Sequence, residues 1–248
     1  MKTRFLSVIT ICAASLMLTS SLYAQRGLEF QLDHFKVYAV KSQPASITAK
    51  ILLRGQFDKE PRSTSLGPLT YLANPVSKNG SKLIDKNAHL AWHTIKGGTE
   101  PKRSVTLENQ FGKGQVLLGE AVYLAVPTEK VEKESALPKK LDHFKCYNVL
   151  EGKPLDKEVS LDDQFDKQRA VKVLKPVLFC VPVMKVYGKQ TTEIQNPRDH
   201  LIVYDVAPKK YELTKKDLRN QFGKWSVSVT ESKMLAVPSK KLEWSEVK

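Results

Sequence analysis

Four degraded copies of one strand cassette run through the chain, and they restrict the fold more than any other feature. The third copy is the clearest, from Leu141 to Lys185: LDHFKCYNV, then EVSLDDQFDK, then AVKVLKPVLFCVPVMK. The first runs from Leu32 to Lys78, the second from Ala88 to Lys130 and the fourth from Asp199 to Lys241. Their landmarks keep step. His34, His89, His143 and His200 correspond, as do the pairs Gln56-Phe57, Gln110-Phe111, Gln164-Phe165 and Gln221-Phe222, and then Pro75, Pro127, Pro182 and Pro238.

Copies one and three share DHFK and QFDK, whereas copies two and four share HL, NQFGK and LAVP. The order is therefore A-B-A-B. Each A-B pair has the length of an ordinary domain. The charged segment EKVEKESALPKK, 129–140, has no apolar period and reads as a linker. This spacing predicts a first double-repeat domain over 30–128 and a second over 141–242, with one continuous four-unit fold as the alternative.

The opening segments alternate as strands do. Phe144 and Cys146 fall on one face, and Phe35/Val37, Leu90/Trp92 and Leu201/Val203 match them. That face is apolar in every copy and is expected to meet the core. The middle and closing segments are rich in β-branched residues, and the closing segment has room for two strands with a kink at Lys175-Pro176. After each Gln-Phe stands Asp58, Gly112, Asp166 or Gly223, which suits a tight turn with the Phe packed beneath it. The Gln could bond the turn backbone. Each proline, lacking an N–H, is expected at a strand edge or end. The fold class is all-β: two tandem β-sandwich or barrel-like domains, each built from two related strand units.

The N-terminus carries a processing signal. Lys2 and Arg4 precede an uncharged apolar run, Phe5 to Leu18, and a small, polar stretch ending at Ala24. This predicts a signal peptide over 1–24. No second long apolar run follows, so no transmembrane segment is expected after processing. The expected location is secreted, periplasmic or associated with the cell surface. Cleavage would remove two cations and lower the net charge from +14 to +12. A basic exported protein encounters polyanions, while a solvated lysine surface without a partner accounts for the charge equally well. No pattern points to specific nucleic acid.

Two cysteines would remain, Cys146 and Cys180. The corresponding positions elsewhere hold Val37/Ala73, Trp92/Ala125 and Val203/Ala236, so both sites carry sulfur or neither does. Two cysteines in an exported chain usually pair, which predicts a disulfide across the third unit. Two buried thiols or half a metal site are the alternatives.

Chemistry is sparse. The sequence has no G-x-S-x-G elbow, P-loop, G-x-G-x-x-G or H-E-x-x-H, and suggests no catalytic residue, cofactor or metal. Along the opening strands His34, Lys36 and Tyr38 share one face, as do His143, Lys145 and Tyr147, and His200 and Tyr204. Such a row could bind acidic or hydroxylated ligands, or a second layer or neighbouring unit could cover it. The second copy breaks the row with His93 in place of Tyr.

The combination of DHFKCY, DQF and LFCVPVMK with a following DHL, NQFG and LAVP half resembles a family of exported bacterial repeat proteins of unknown function. Its modules carry Phe-Lys-Cys-Tyr, Gln-Phe-Gly and Leu-Cys-x-Pro-Val-x-Lys. The resemblance covers nearly all of 30–241. It implies a tandem module on exported proteins, with no activity attached and no catalytic residue to carry over. The family pattern pairs cysteines in more units than this chain does. The sequence reading is thus a non-enzymatic exported β-repeat module binding an acidic polysaccharide or envelope protein. The alternatives are an exported hydrolase or lyase of an acidic polymer, and a purely structural spacer.

Overall fold

The computed structural model describes residues 30–43, 49–132, 136–138 and 140–247. The expected signal peptide, 1–24, lies outside the described residues. Twelve strands are present: β1 (His34–Gln43), β2 (Ala49–Gly55), β3 (Arg62–Lys78), β4 (His89–Lys96), β5 (Arg103–Asn109), β6 (Gly112–Lys130), β7 (Phe144–Gly152), β8 (Lys157–Asp162), β9 (Lys167–Tyr187), β10 (Gln190–Thr192), β11 (His200–Asn220) and β12 (Gly223–Glu246). The all-β class expected from the alternation holds, and there is no helix among the described residues.

Each unit contributes an opening strand, a middle strand and a long closing strand. In the fourth, β11 supplies both the opening and the middle strand. Each opening strand pairs antiparallel with its own closing strand and with that of the preceding unit. The ladders run β1–β3, β3–β4, β4–β6, β6–β7, β7–β9, β9–β11, β11–β12 and finally β12–β1. This circuit closes a barrel of eight staves, which leaves the ring no free edge.

Two tandem domains are therefore not what the ladders describe. The halves are hydrogen-bonded to each other through β6–β7 and β12–β1, in the manner of the continuous alternative. The linker expected from residue 129 also begins later, because Glu129 and Lys130 belong to β6 and pair with Arg219 and Leu218.

The predicted inward face is the barrel interior. Phe35, Val37, Leu90, Trp92, Phe144, Cys146, Leu201 and Val203 form one buried cluster with Ala73, Ala125, Cys180 and Ala236. Small residues on the closing strands leave room for large ones on the opening strands. Each large side chain so buried contributes roughly 1.5–3 kcal/mol. Cys146 and Cys180 face each other in the β7–β9 ladder and form the expected disulfide, with Cα atoms 4.0 Å apart.

The closing strands are long because they serve two layers. The expected kink at Pro176 is a register irregularity inside one continuous strand, β9. Near their ends the repeated prolines act as switches. The ladder of β3 with β4 stops at Ala73, two residues before Pro75, and that of β6 with β7 stops at Ala125, before Pro127. Beyond the proline, each closing strand pairs with the middle strand of the unit two places on. Ser77 and Lys78 meet β8, Glu129 and Lys130 meet β11, 183–186 meet β2, and 240–246 meet β5. The middle strands thus form an outer layer, and each one crosses to cover the diagonally opposite unit.

Candidate functional site

The outer layer covers the His-Lys-Tyr rows. Lys36, Tyr38, His143, Lys145, Tyr147, His200 and Tyr204 are buried, and His34 is half-buried. The covering neighbour considered as the alternative is the one found, and it comes from two different units.

The histidines meet the next unit. His34 contacts Gln110, His143 contacts Gln221, and His200 Nε2 lies 2.8 Å from Gln56 Oε1. The lysine ending each copy of the repeat joins them. Lys130 donates to Gln164 and Lys185 to Gln221, while Lys78, Lys185 and Lys241 lie over the rings of Phe111, Phe222 and Phe57 at 5.2, 5.3 and 4.9 Å. The repeated His, Lys and Gln-Phe landmarks therefore converge at the junctions between successive units. The glutamine, expected on its own turn, bonds across a junction in all four copies. In copies two, three and four the turn is closed locally instead, by Asn109, Asp163 and Asn220 accepting from the N–H of Phe111, Phe165 and Phe222.

Burial and then the neighbouring ammonium push the imidazoles down, to about 3 for His34, His89 and His143. His200 is held at about 4 by burial, with Lys241 adding to it against the Arg198 carbonyl. Burial also takes Lys130, Lys185 and Lys241 down to about 8. The imidazoles are thus neutral at physiological pH.

The tyrosine ends of the rows meet the diagonal unit. Phe57 packs edge-on to Tyr147, Phe165 to Tyr38 and Phe111 to Tyr204, with centroids 5.3, 5.1 and 5.6 Å apart. Phe222 does the same to His93 at 5.9 Å, so His93 takes the tyrosine's place. Between these rings the A units exchange charges. Lys36 donates to Asp166 at 2.5 Å, and Lys145 lies 3.2 Å from Asp58 and 2.7 Å from Glu100. Burial raises the Asp166 carboxyl, but bonds from Lys209, Lys36 and Tyr211 outweigh it and hold the group below the usual carboxylate range. Burial pulls the Lys36 ammonium down. At the same positions the B units have Ala91 opposite Gly223 and Ile202 opposite Gly112, with no charge. Among the described residues, no three His, Cys, Asp or Glu side chains converge to hold a metal.

One junction opens outward. Lys241 is only partly buried, and over His200 and Gln56 lies a cleft of about 930 Å³ lined also by Arg198, Asp199 and Lys240. Burial, then Asp142, raises Asp199 to about 6. Neither Arg198 nor Lys241 stands out in the sequence, where lysines and arginines are everywhere. The signal available was positional, since Lys241 ends the fourth copy of the repeat.

Residues 89–238 match a family described as a repeat of unknown function (DUF7450), and the chain belongs to it. The match begins at one repeated histidine and ends at one repeated proline. No curated protein and no solved structure matches the chain.

Proposed function

We propose that this member of an uncharacterised repeat family is a non-enzymatic, exported module that holds a polyanionic component outside the cytosol, such as an acidic polysaccharide. The observation that carries the reading is the cleft over the fourth junction, where Arg198, Lys240 and Lys241 face a single carboxyl, Asp199. The other three junction lysines are buried. The net charge, +14 over the whole chain and +12 without residues 1–24, brings acidic polymers to the molecule. The disulfide fits an oxidising compartment, in keeping with secretion or residence at the cell surface.

The test is retention of the protein on immobilised polygalacturonate. Elution should move to lower salt in the double variant Arg198→Gln/Lys241→Gln, because each lost ion pair removes part of the screened attraction. Equal elution of the two proteins would remove the cleft from the account, and no retention of either would remove the polyanion.

A further inference from the structure

The two diagonals between B units should be equivalent and are not. Unit four reads Asn220-Gln-Phe-Gly-Lys-Trp225, and unit two reads Asn109-Gln-Phe-Gly-Lys-Gly114. Trp225 is buried among Ala91, Leu218, Val227 and the partly buried Phe222, with its ring 5.2 Å from that of His93. The corresponding residues on the other diagonal are Ile202, Leu107, Val116, Phe111 and Tyr204. They line a cavity of about 440 Å³, with Gly112 and Gly114 at its mouth. A Cβ at Gly114 would meet nothing within 4 Å. The cavity is the place where the fourth unit keeps an indole and the second does not.

The walls carry groups that an apolar filler would not use. Asn109 donates to Tyr204 Oη at 3.0 Å, which leaves the phenol proton available to a ligand. Burial raises the phenol pKa, so it remains protonated. Lys113, Lys153 and Lys157 stand exposed at the rim beside one acid, Asp156. None of the three lysines makes an ion pair among the described residues. The volume lies in the range of small-molecule sites, which combine apolar walls with a few polar groups that fix orientation.

We propose that this cavity binds a small aromatic carboxylate. Its flat ring takes the position that Trp225 holds in the fourth unit, against Phe111, Ile202 and Tyr204. Its carboxylate is neutralised by the rim lysines, and a ring substituent can accept the Tyr204 proton. The site is separate from the cleft at His200, and the two readings stand or fall apart.

The experiment is calorimetric titration of the full chain with indole-3-acetate and with its neutral counterpart indole-3-ethanol, together with amide shifts mapped over 109–116. The acid should bind saturably and at least ten-fold tighter than the alcohol. Gly114→Trp, which copies the fourth unit, should abolish binding while the fold, read by circular dichroism and thermal unfolding, is kept. The surface pair Lys113→Gln/Lys153→Gln should weaken the acid several-fold and leave the alcohol unchanged, and it decides the matter if Gly114→Trp does not fold. No saturable binding to the unmodified protein, or binding indifferent to Gly114→Trp or to the lysine pair, would overturn the proposal.

Discussion

The diagonal joining units one and three and the diagonal joining units two and four are built on the same backbone and closed by opposite means. Between the A units, two buried ion pairs lock each opening strand to the turn opposite, Lys36 to Asp166 and Lys145 to Asp58. Between the B units the positions are uncharged. One site is sealed by Trp225 and the other is open at Gly114. Charge requires its partner and tolerates no gap, because a lone buried ion is costly. An uncharged site with a glycine at its mouth tolerates a hole. The difference teaches that the A diagonal fixes which units lie opposite, while the B diagonal is free to diverge.

Acid should produce the largest effect, since it attacks the junctions that both diagonals share. The four histidines sit well below the ordinary value near 6.5 in the folded chain, at about 3 to 4. Between those limits the unfolded chain binds more protons. Stability is therefore fully present above pH 6.5 and is lost as pH falls, by roughly 1.4 kcal/mol per pH unit for each histidine. The raised Asp33, Asp199 and Asp205 carboxyls work in the opposite sense and offset part of this. Urea unfolding at pH 7 and pH 4.5 should show a clear fall in midpoint, and equal midpoints would mean that the junctions are wet.

Lys145→Met comes next and separates the diagonals. It strands the buried Asp58 without its cation, while Glu100 keeps Arg103 and Arg62, and should cost about 3–5 kcal/mol in urea unfolding. The variant Lys145→Ile/Asp58→Gly, which writes the B pair into the A diagonal, should recover much of that loss. If it does not, the two diagonals are not interchangeable designs.

Opening the disulfide with a reductant should cost about 2–4 kcal/mol, read as a lower thermal midpoint. Only the third unit carries one, so a loss near zero would mean that its interior packs like its three sulfur-free counterparts. The smallest effect belongs to the surface pair Arg219–Glu129, 2.7 Å apart, which ties the fourth unit's hairpin to β6 across the B diagonal. Arg219 is about half exposed, and Arg219→Ala should cost less than about 1 kcal/mol. A larger loss would show that the B diagonal is also held by charge.

The strands, the inward face and the disulfide were legible because they are written in each copy separately. Alternation locates Phe35 and Val37 without reference to any other unit, and the joint presence of Cys146 and Cys180 marks a contact. The same reasoning was open for Lys and Asp. DHFK and QFDK occur together in copies one and three and are absent together from two and four. That co-occurrence signals Lys36–Asp166 and Lys145–Asp58, but it does not say whether the partner lies in the same unit or another. A repeat hides that choice, because equivalent residues offer equivalent partners at every step round the ring. The exposed ligand row failed as a reading for a related reason. A two-faced strand looks the same whether its second face meets water or the hairpin of a distant unit. The exchange of Trp225 for Gly114 was visible too, but its meaning needed the indole's surroundings.

The ladder between β1 and β12 has a consequence for how the molecule comes into being. A nascent chain that has made its first stave must wait for its last before that stave gains its second neighbour. Until then both flanks of the growing sheet present unpaired amides, the circumstance in which chains stick to one another. Loss of the final segment would therefore injure the earliest strand as much as the latest, and a nonsense codon late in the message should yield aggregate rather than a slightly shorter working protein.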